Sequence, residues 1–208
     1  DVERSRGLGD VYKRQVFTVG MTLFVVPSIL APVAIGAVLA ALIFAGGYVS
    51  CAHYNPAISL AAFLSCKITL GDLLRYVLVQ IVAALLASYL VVYLMGYSGI
   101  SVGYSGLAIF IAEFLFTFAL CFVYLNVAAS RSTAGNSYFG LAIGLIVFVG
   151  VFIIGSITGG ALNPAVAIGL TVLNLNLWCN LWIYILAQLA AAVLAAMIFN
   201  CVKCCVRK

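Results

Sequence analysis

Charge is almost missing from this chain. Of 208 residues, 7% are charged and 66% are hydrophobic, with a mean hydropathy of +1.27. A water-soluble domain needs a charged shell around even a well-buried core. The composition excludes one and indicates an integral membrane protein. The few charges gather at the ends: Asp1, Glu3, Arg4, Arg6, Asp10, Lys13 and Arg14 at one, Lys203, Arg207 and Lys208 at the other. Only Lys67, Asp72, Arg75, Glu113 and Arg131 stand between. The net charge of +5 therefore builds no basic face for nucleic acid. The basic residues flank apolar spans and read as topology signals. Histidine occurs once, and the seven cysteines form no CxxC pair beyond Cys201-x-x-Cys204. With no second ligand pair a metal site is not indicated, and no cofactor is expected. Cysteines inside spans read as small apolar fillers; Cys204 and Cys205, beside basic residues, are candidates for S-acylation. Asn-x-Ser/Thr sequons are absent.

Proline is scarce too. There are four, and two belong to the same tripeptide, Asn55-Pro56-Ala57 and Asn163-Pro164-Ala165. Hydrophobic segments lie near 16–31, 33–50, 73–94, 107–128, 139–155 and 181–202. About 20 helical residues cross a hydrocarbon core of about 30 Å, so these predict six spans. The first is short and carries Pro27. The apolar pieces 56–66 and 164–174, after the two Asn-Pro steps, are about 15 Å long as helices. They must dip into the membrane and return, which is tolerated only inside protein or against a water-filled cavity. With the N-terminus in the cytoplasm, Lys67, Arg75, Arg131 and the basic tail all fall on that side, and the connections around 27–32, 95–106 and 156–180 carry no charge. The bias predicts both termini cytoplasmic.

The offset of 108 between the two asparagines recurs elsewhere. Ala34-Ile35-Gly36 maps onto Ala142-Ile143-Gly144, and residues 79–90 map onto 187–198 with Gln80 on Gln188. Three blocks sharing one gapless offset predict two tandem repeats, about 16–94 and 107–202. Each has three spans and one half-helix. Three is odd, so the second copy is inverted about an axis in the membrane plane. The half-helix N-termini then meet near the midplane. Asn is a favoured N-cap and Pro fits the first helical position. With the caps formed, each amide NH₂ is expected to remain a free donor. Two positive helix ends, each equivalent to about half an elementary charge, favour a water or hydroxyl oxygen and repel cations.

On these residues the chain resembles the aquaporins, the major intrinsic protein family. The resemblance rests on both Asn-Pro-Ala boxes, the pattern Gly-x-x-Ser-x-x-His-x-Asn-Pro-Ala over 47–57, the run Thr158-Gly159-Gly160, and Glu113-x-x-x-Thr117 early in the fourth span. It implies an all-α membrane protein: six transmembrane helices plus two re-entrant half-helices over 16–202, assembled as a homotetramer. It also implies a passive pore for water and small neutral solutes in the lipid bilayer, and not an enzyme. Glu113 and Thr117 take the role of loop buttress, and Cys51 and His53 fall on the pore side, so mercurials are expected to act at Cys51. The chain departs from the family where an Arg follows the second box: Val166 stands there, and Ala167 replaces the Asp of glycerol facilitators. The remaining constriction positions map to Ile35, Val151 and Gly160, an apolar ring. Flux of glycerol, urea or ammonia beside water is therefore expected, the alternatives being a strict water channel or a non-conducting structural protein that keeps the fold. A coupled transporter would need ion or substrate ligands within the spans, and Glu113 is the sole acid there. Residues 1–15 form a charged tail that does not match the rest, either a solvated basic N-terminus or cloning- or assembly-derived sequence joined to a truncated first span; residues 203–208 read as a basic cytoplasmic tail.

Overall fold

A computed structural model describes residues 30–50, 53–96 and 105–206. The first span near 16–31 lies almost wholly outside the described residues, as does Cys51. Seven α-helices follow: α1 (Ala31–Ser50), α2 (Pro56–Leu64), α3 (Leu70–Met95), α4 (Gly106–Val127), α5 (Phe139–Thr158), α6 (Pro164–Val172) and α7 (Leu181–Val206). No strand occurs among the described residues. Four of these helices, α3, α4, α5 and α7, are long and apolar enough to cross a membrane, and α1 is apolar over a shorter stretch. Helices α2 and α6 have nine residues each, about 14 Å at 1.5 Å per residue, and cannot cross.

Both half-helices end two residues earlier than expected, and in the same way. Cys66 and Asn174 adopt left-handed φ of 56° and 55°, and they are 108 positions apart. At each, two backbone bonds close the turn: Cys66 N–H to Phe63 O and Lys67 N–H to Ala62 O, then Asn174 N–H to Thr171 O and Leu175 N–H to Leu170 O. These satisfy carbonyls that the helix end leaves open.

The repeats are interleaved. Helix α2 of the first copy packs on α7 of the second, α6 of the second on α3 of the first, and α1 on α5. Alanine permits the close approach. Ala83, Ala84 and Ala87 on α3, and their counterparts Ala191, Ala192 and Ala195 on α7, are fully buried. Where α1 crosses α5 the fit is tighter. A Cβ on Gly36 would lie 2.6 Å from the Gly144 carbonyl oxygen, and one on Gly144 would lie 2.5 Å from that of Gly36. Small residues bring helix backbones together where lipid supplies no hydrophobic drive between helices.

Candidate functional site

Asn55 and Asn163 cap α2 and α6. The Asn55 side-chain oxygen accepts from Ala57 N–H at 2.8 Å and that of Asn163 from Ala165 N–H at 2.9 Å. The amide nitrogens cross between the copies: Asn55 Nδ2 donates to Leu162 O at 2.8 Å and Asn163 Nδ2 to Tyr54 O at 2.9 Å. Each cap thus holds the residue preceding the other cap. This corrects the expectation of two free NH₂ groups. One N–H of each amide is spent on the opposite loop, leaving one per asparagine. The physical reason is that a buried carbonyl at a bent loop needs a donor, and the facing cap is the nearest.

These caps sit on the wall of a narrow cavity with about 50 Å³ of room for water-sized molecules. Its lining repeats at the same offset: Ile35 with Ile143, Leu39 with Val147, Ile43 with Val151, Tyr54 with Leu162, Asn55 with Asn163, and Ile58 with Val166. Six pairs build the wall, so the cavity follows the pseudo-two-fold axis. All four expected constriction residues, Ile35, Val151, Gly160 and Val166, are on it. The backbone at Gly160, with φ of 65°, comes so close to α5 that an added Cβ would lie 3.1 Å from Val151 Cα. Gly159 is also left-handed, at φ 78°. Two consecutive residues with positive φ call for glycine, which accounts for the Thr-Gly-Gly run. No Asp, Glu, Lys, Arg or His side chain lines the cavity among the described residues.

The second loop is held from α4. The fully buried Glu113 carboxyl accepts four bonds: from Thr158 Oγ1 at 2.7 Å and Ala161 N–H at 3.0 Å on one oxygen, from Leu162 N–H at 2.8 Å and Gln188 Nε2 at 2.8 Å on the other. Tyr184 adds its hydroxyl to Thr158 O at 2.7 Å. Leu162, a non-glycine residue at φ 49°, is thus fixed by Glu113 at its N–H and by Asn55 at its carbonyl. Thr117 does not share this role. Its hydroxyl is buried with no hydrogen-bond partner, one helical turn along α4 from Glu113.

In the first loop Gln80 Nε2 donates to His53 O and, at 3.1 Å, to Ser59 Oγ. The His53 ring is not on the cavity wall, contrary to expectation. It packs between Tyr76 and Tyr124, with ring centroids at 5.3 and 5.4 Å, and shares a 2.6 Å hydrogen bond between Nε2 and the Tyr124 hydroxyl. A buried imidazole settles where a polar partner and apolar rings meet. Sequence reasoning matched Gln80 with Gln188 but assigned them no role; two buried glutamines at one register were the available signal. Tyr124 and Tyr184 had none.

Comparison with known proteins agrees with this geometry. The chain is similar to Nodulin-26 of Glycine max, 34% identical over 64% of this chain and 51% of that protein. It is 36% identical to the "Glycerol uptake facilitator protein-like 6" of Lactiplantibacillus plantarum, over 61% of this chain and 62% of that one. The chain thus spans about half to three-fifths of the length of these curated relatives. An aquaglyceroporin of Plasmodium falciparum has the same fold, with a TM-score of 0.78 at 19% identity, covering 98% of this chain and 97% of that one. The family model described as "Major intrinsic protein" matches residues 13–199, and with two inverted half-helices capped by crossed asparagines this chain belongs to that family.

Proposed function

We propose that the chain is a passive transmembrane channel whose path is the cavity between the repeats, for water and small neutral solutes. The observation that carries this reading is the crossed pair of asparagines on an otherwise apolar wall. Each amide keeps one N–H for a passing oxygen, and two half-helix N-termini add positive potential at that level. A water or a hydroxyl oxygen gains there, while a cation is repelled. The absence of ionisable lining groups among the described residues argues against a coupled transporter, which needs ligands for its driving ion.

The constriction reading follows. Ile35, Val151, Gly160 and Val166 place neither charge nor donor at the outer mouth, so glycerol, urea or ammonia passes beside water. Both termini and the 129–138 connection face the cytoplasm, a reading that the one-sided basic residues support, and four copies associate, each with its own path. Stopped-flow light scattering on proteoliposomes tests the function. An osmotic step should give water flux well above empty liposomes, and glycerol or urea gradients should give solute flux. Water flux alone would reduce the reading to a strict water channel, and neither flux would leave a structural protein with an idle fold.

A further inference from the structure

Helix α7 is longer than a bilayer needs. Its 26 residues extend about 39 Å at 1.5 Å per residue, against a hydrocarbon core of about 30 Å. Trp178 and Trp182, at or just before its start, are exposed, as tryptophans at headgroup level are. Counted from Trp182, about 30 Å of helix ends near residue 202. Cys201 and Cys204 therefore stand at the opposite headgroup boundary, and Cys205 is next in sequence.

The face matters as much as the depth. Cys201 and Cys204 are exposed. They continue the exposed stripe of Leu194, Met197 and Ile198, since positions three, four and seven apart share one helix face. The other face, with Ala192, Ala195 and Phe199, is buried against the bundle. Unpaired cysteine ordinarily packs inside, as Cys121 does here; these thiols instead extend the exposed apolar surface to its edge. Lys203 lies between them and Arg207 and Lys208 follow, cations that an anionic leaflet attracts.

We propose that Cys201, Cys204 and Cys205 are sites of S-acylation by long-chain fatty acyl groups, whose chains enter the bilayer beside Leu194, Met197 and Ile198. In this step the cysteine sulfur attacks the carbonyl carbon of a long-chain acyl-coenzyme A. A new thioester C–S bond forms, the old one breaks, and the coenzyme A thiolate leaves and takes up the proton that the cysteine gives up. The step needs no oxidant or reductant. It rests on the reading that this end of α7 is cytoplasmic, where acyl-coenzyme A is available.

The full chain would be expressed in eukaryotic cells fed an alkyne-tagged palmitate analogue, purified, and scored for hydroxylamine-labile label. Wild type should carry label, and Cys201→Ser/Cys204→Ser/Cys205→Ser should lose it to background. Cys66→Ser and Cys179→Ser should keep it. Cys66 is exposed at the same end of the molecule, near α7 because Asn200 Nδ2 donates to Leu64 O at 3.1 Å, but it is on no lipid-facing helix. Absence of label, or label that survives the triple variant, overturns the proposal. A membrane-impermeant maleimide applied to intact and permeabilised cells separates the two ways to fail. Cys201 reached from outside means the orientation is wrong as well; Cys201 reached only after permeabilisation means that S-acylation alone is wrong. Gel filtration of the triple variant confirms that it folds.

Discussion

Replacing Glu113 separates the loop from its anchor, and the cost can be worked from its four bonds. In Glu113→Ala the Thr158 hydroxyl keeps a fallback, since it already lies 3.3 Å from Ile154 O. Ala161 N–H, Leu162 N–H and Gln188 Nε2 have none. At about 1–3 kcal/mol for each buried donor left unmade, the loss is about 3–9 kcal/mol. That rivals the whole stability of an ordinary domain, about 5–15 kcal/mol, so little folded protein should be recovered. Glu113→Gln is milder. Its remaining oxygen serves Thr158 and Ala161, while its new NH₂ faces two donors. Gln188 can turn over, because its Oε1 has no partner, and then accepts from that NH₂. Leu162 N–H and the turned Gln188 Nε2, which then sits where Oε1 had no partner, are stranded. The loss is about 2–6 kcal/mol, or about 4–24 °C in Tm at roughly 2–4 °C per kcal/mol for a chain of this size. Leu162 O is the acceptor for Asn55, so water flux should fall along with stability. Thermal unfolding in detergent followed by fluorescence-detected gel filtration, with stopped-flow flux on the same samples, measures both. A Glu113→Ala protein with wild-type Tm and wild-type flux would refute the reasoning.

Val166→Arg introduces a fixed charge and five donors into the outer mouth, and should cut glycerol permeation far more than water permeation; an unchanged solute-to-water ratio in paired stopped-flow runs counts against the constriction reading. Gly36→Ala and Gly144→Ala each force a Cβ to within about 2.6 Å of a carbonyl oxygen and should cost about 1–3 kcal/mol by overpacking, whereas Gly71→Ala, with nothing nearer than 3.9 Å, should leave Tm level or slightly raised; equal Tm values for all three would sink the close-crossing argument. Ala134→Cys on a cysteine-free background should react with an impermeant maleimide only from the cytoplasmic side, and labelling from outside would invert the topology.

Much of this was readable beforehand because it rests on residue types that are rare here. Two Asn-Pro-Ala boxes and one intramembrane acid stand out against an apolar background, and polar pairs such as Gln80 and Gln188 make the offset visible. The cavity wall was readable only in part. Leu39 with Val147 and Ile43 with Val151 obey the same offset, but apolar matches carry no signal in a chain that is 66% hydrophobic. The errors share one cause. A motif fixes which side chain is present, not what it touches. The amide donors found backbone carbonyls, which leave no mark in a sequence, His53 turned to a neighbour that no local pattern encodes, and Thr117 found no partner at all. The left-handed turns at Cys66 and Asn174 escaped notice for want of a glycine.

The crossed asparagines also bear on how the chain is made. Asn55 and its acceptor Leu162 are 107 positions apart, and α2 packs on α7, which is synthesised after α2 to α6. At about 5–20 residues per second, the ribosome needs roughly 5–20 seconds to supply the missing partner. During that interval the first half-helix has no loop to hold and no helix to cover it, and hydrocarbon is hostile to its open N-terminus. It therefore waits in water at the translocon or membrane surface and enters the bundle only once the second repeat has been made. An arrested nascent chain ending at residue 100, with Ala61→Cys, should react with an aqueous thiol reagent, and the same position in the finished chain, fully buried and off the cavity wall, should not. Equal protection in both would mean that the first repeat seats its half-helix unaided.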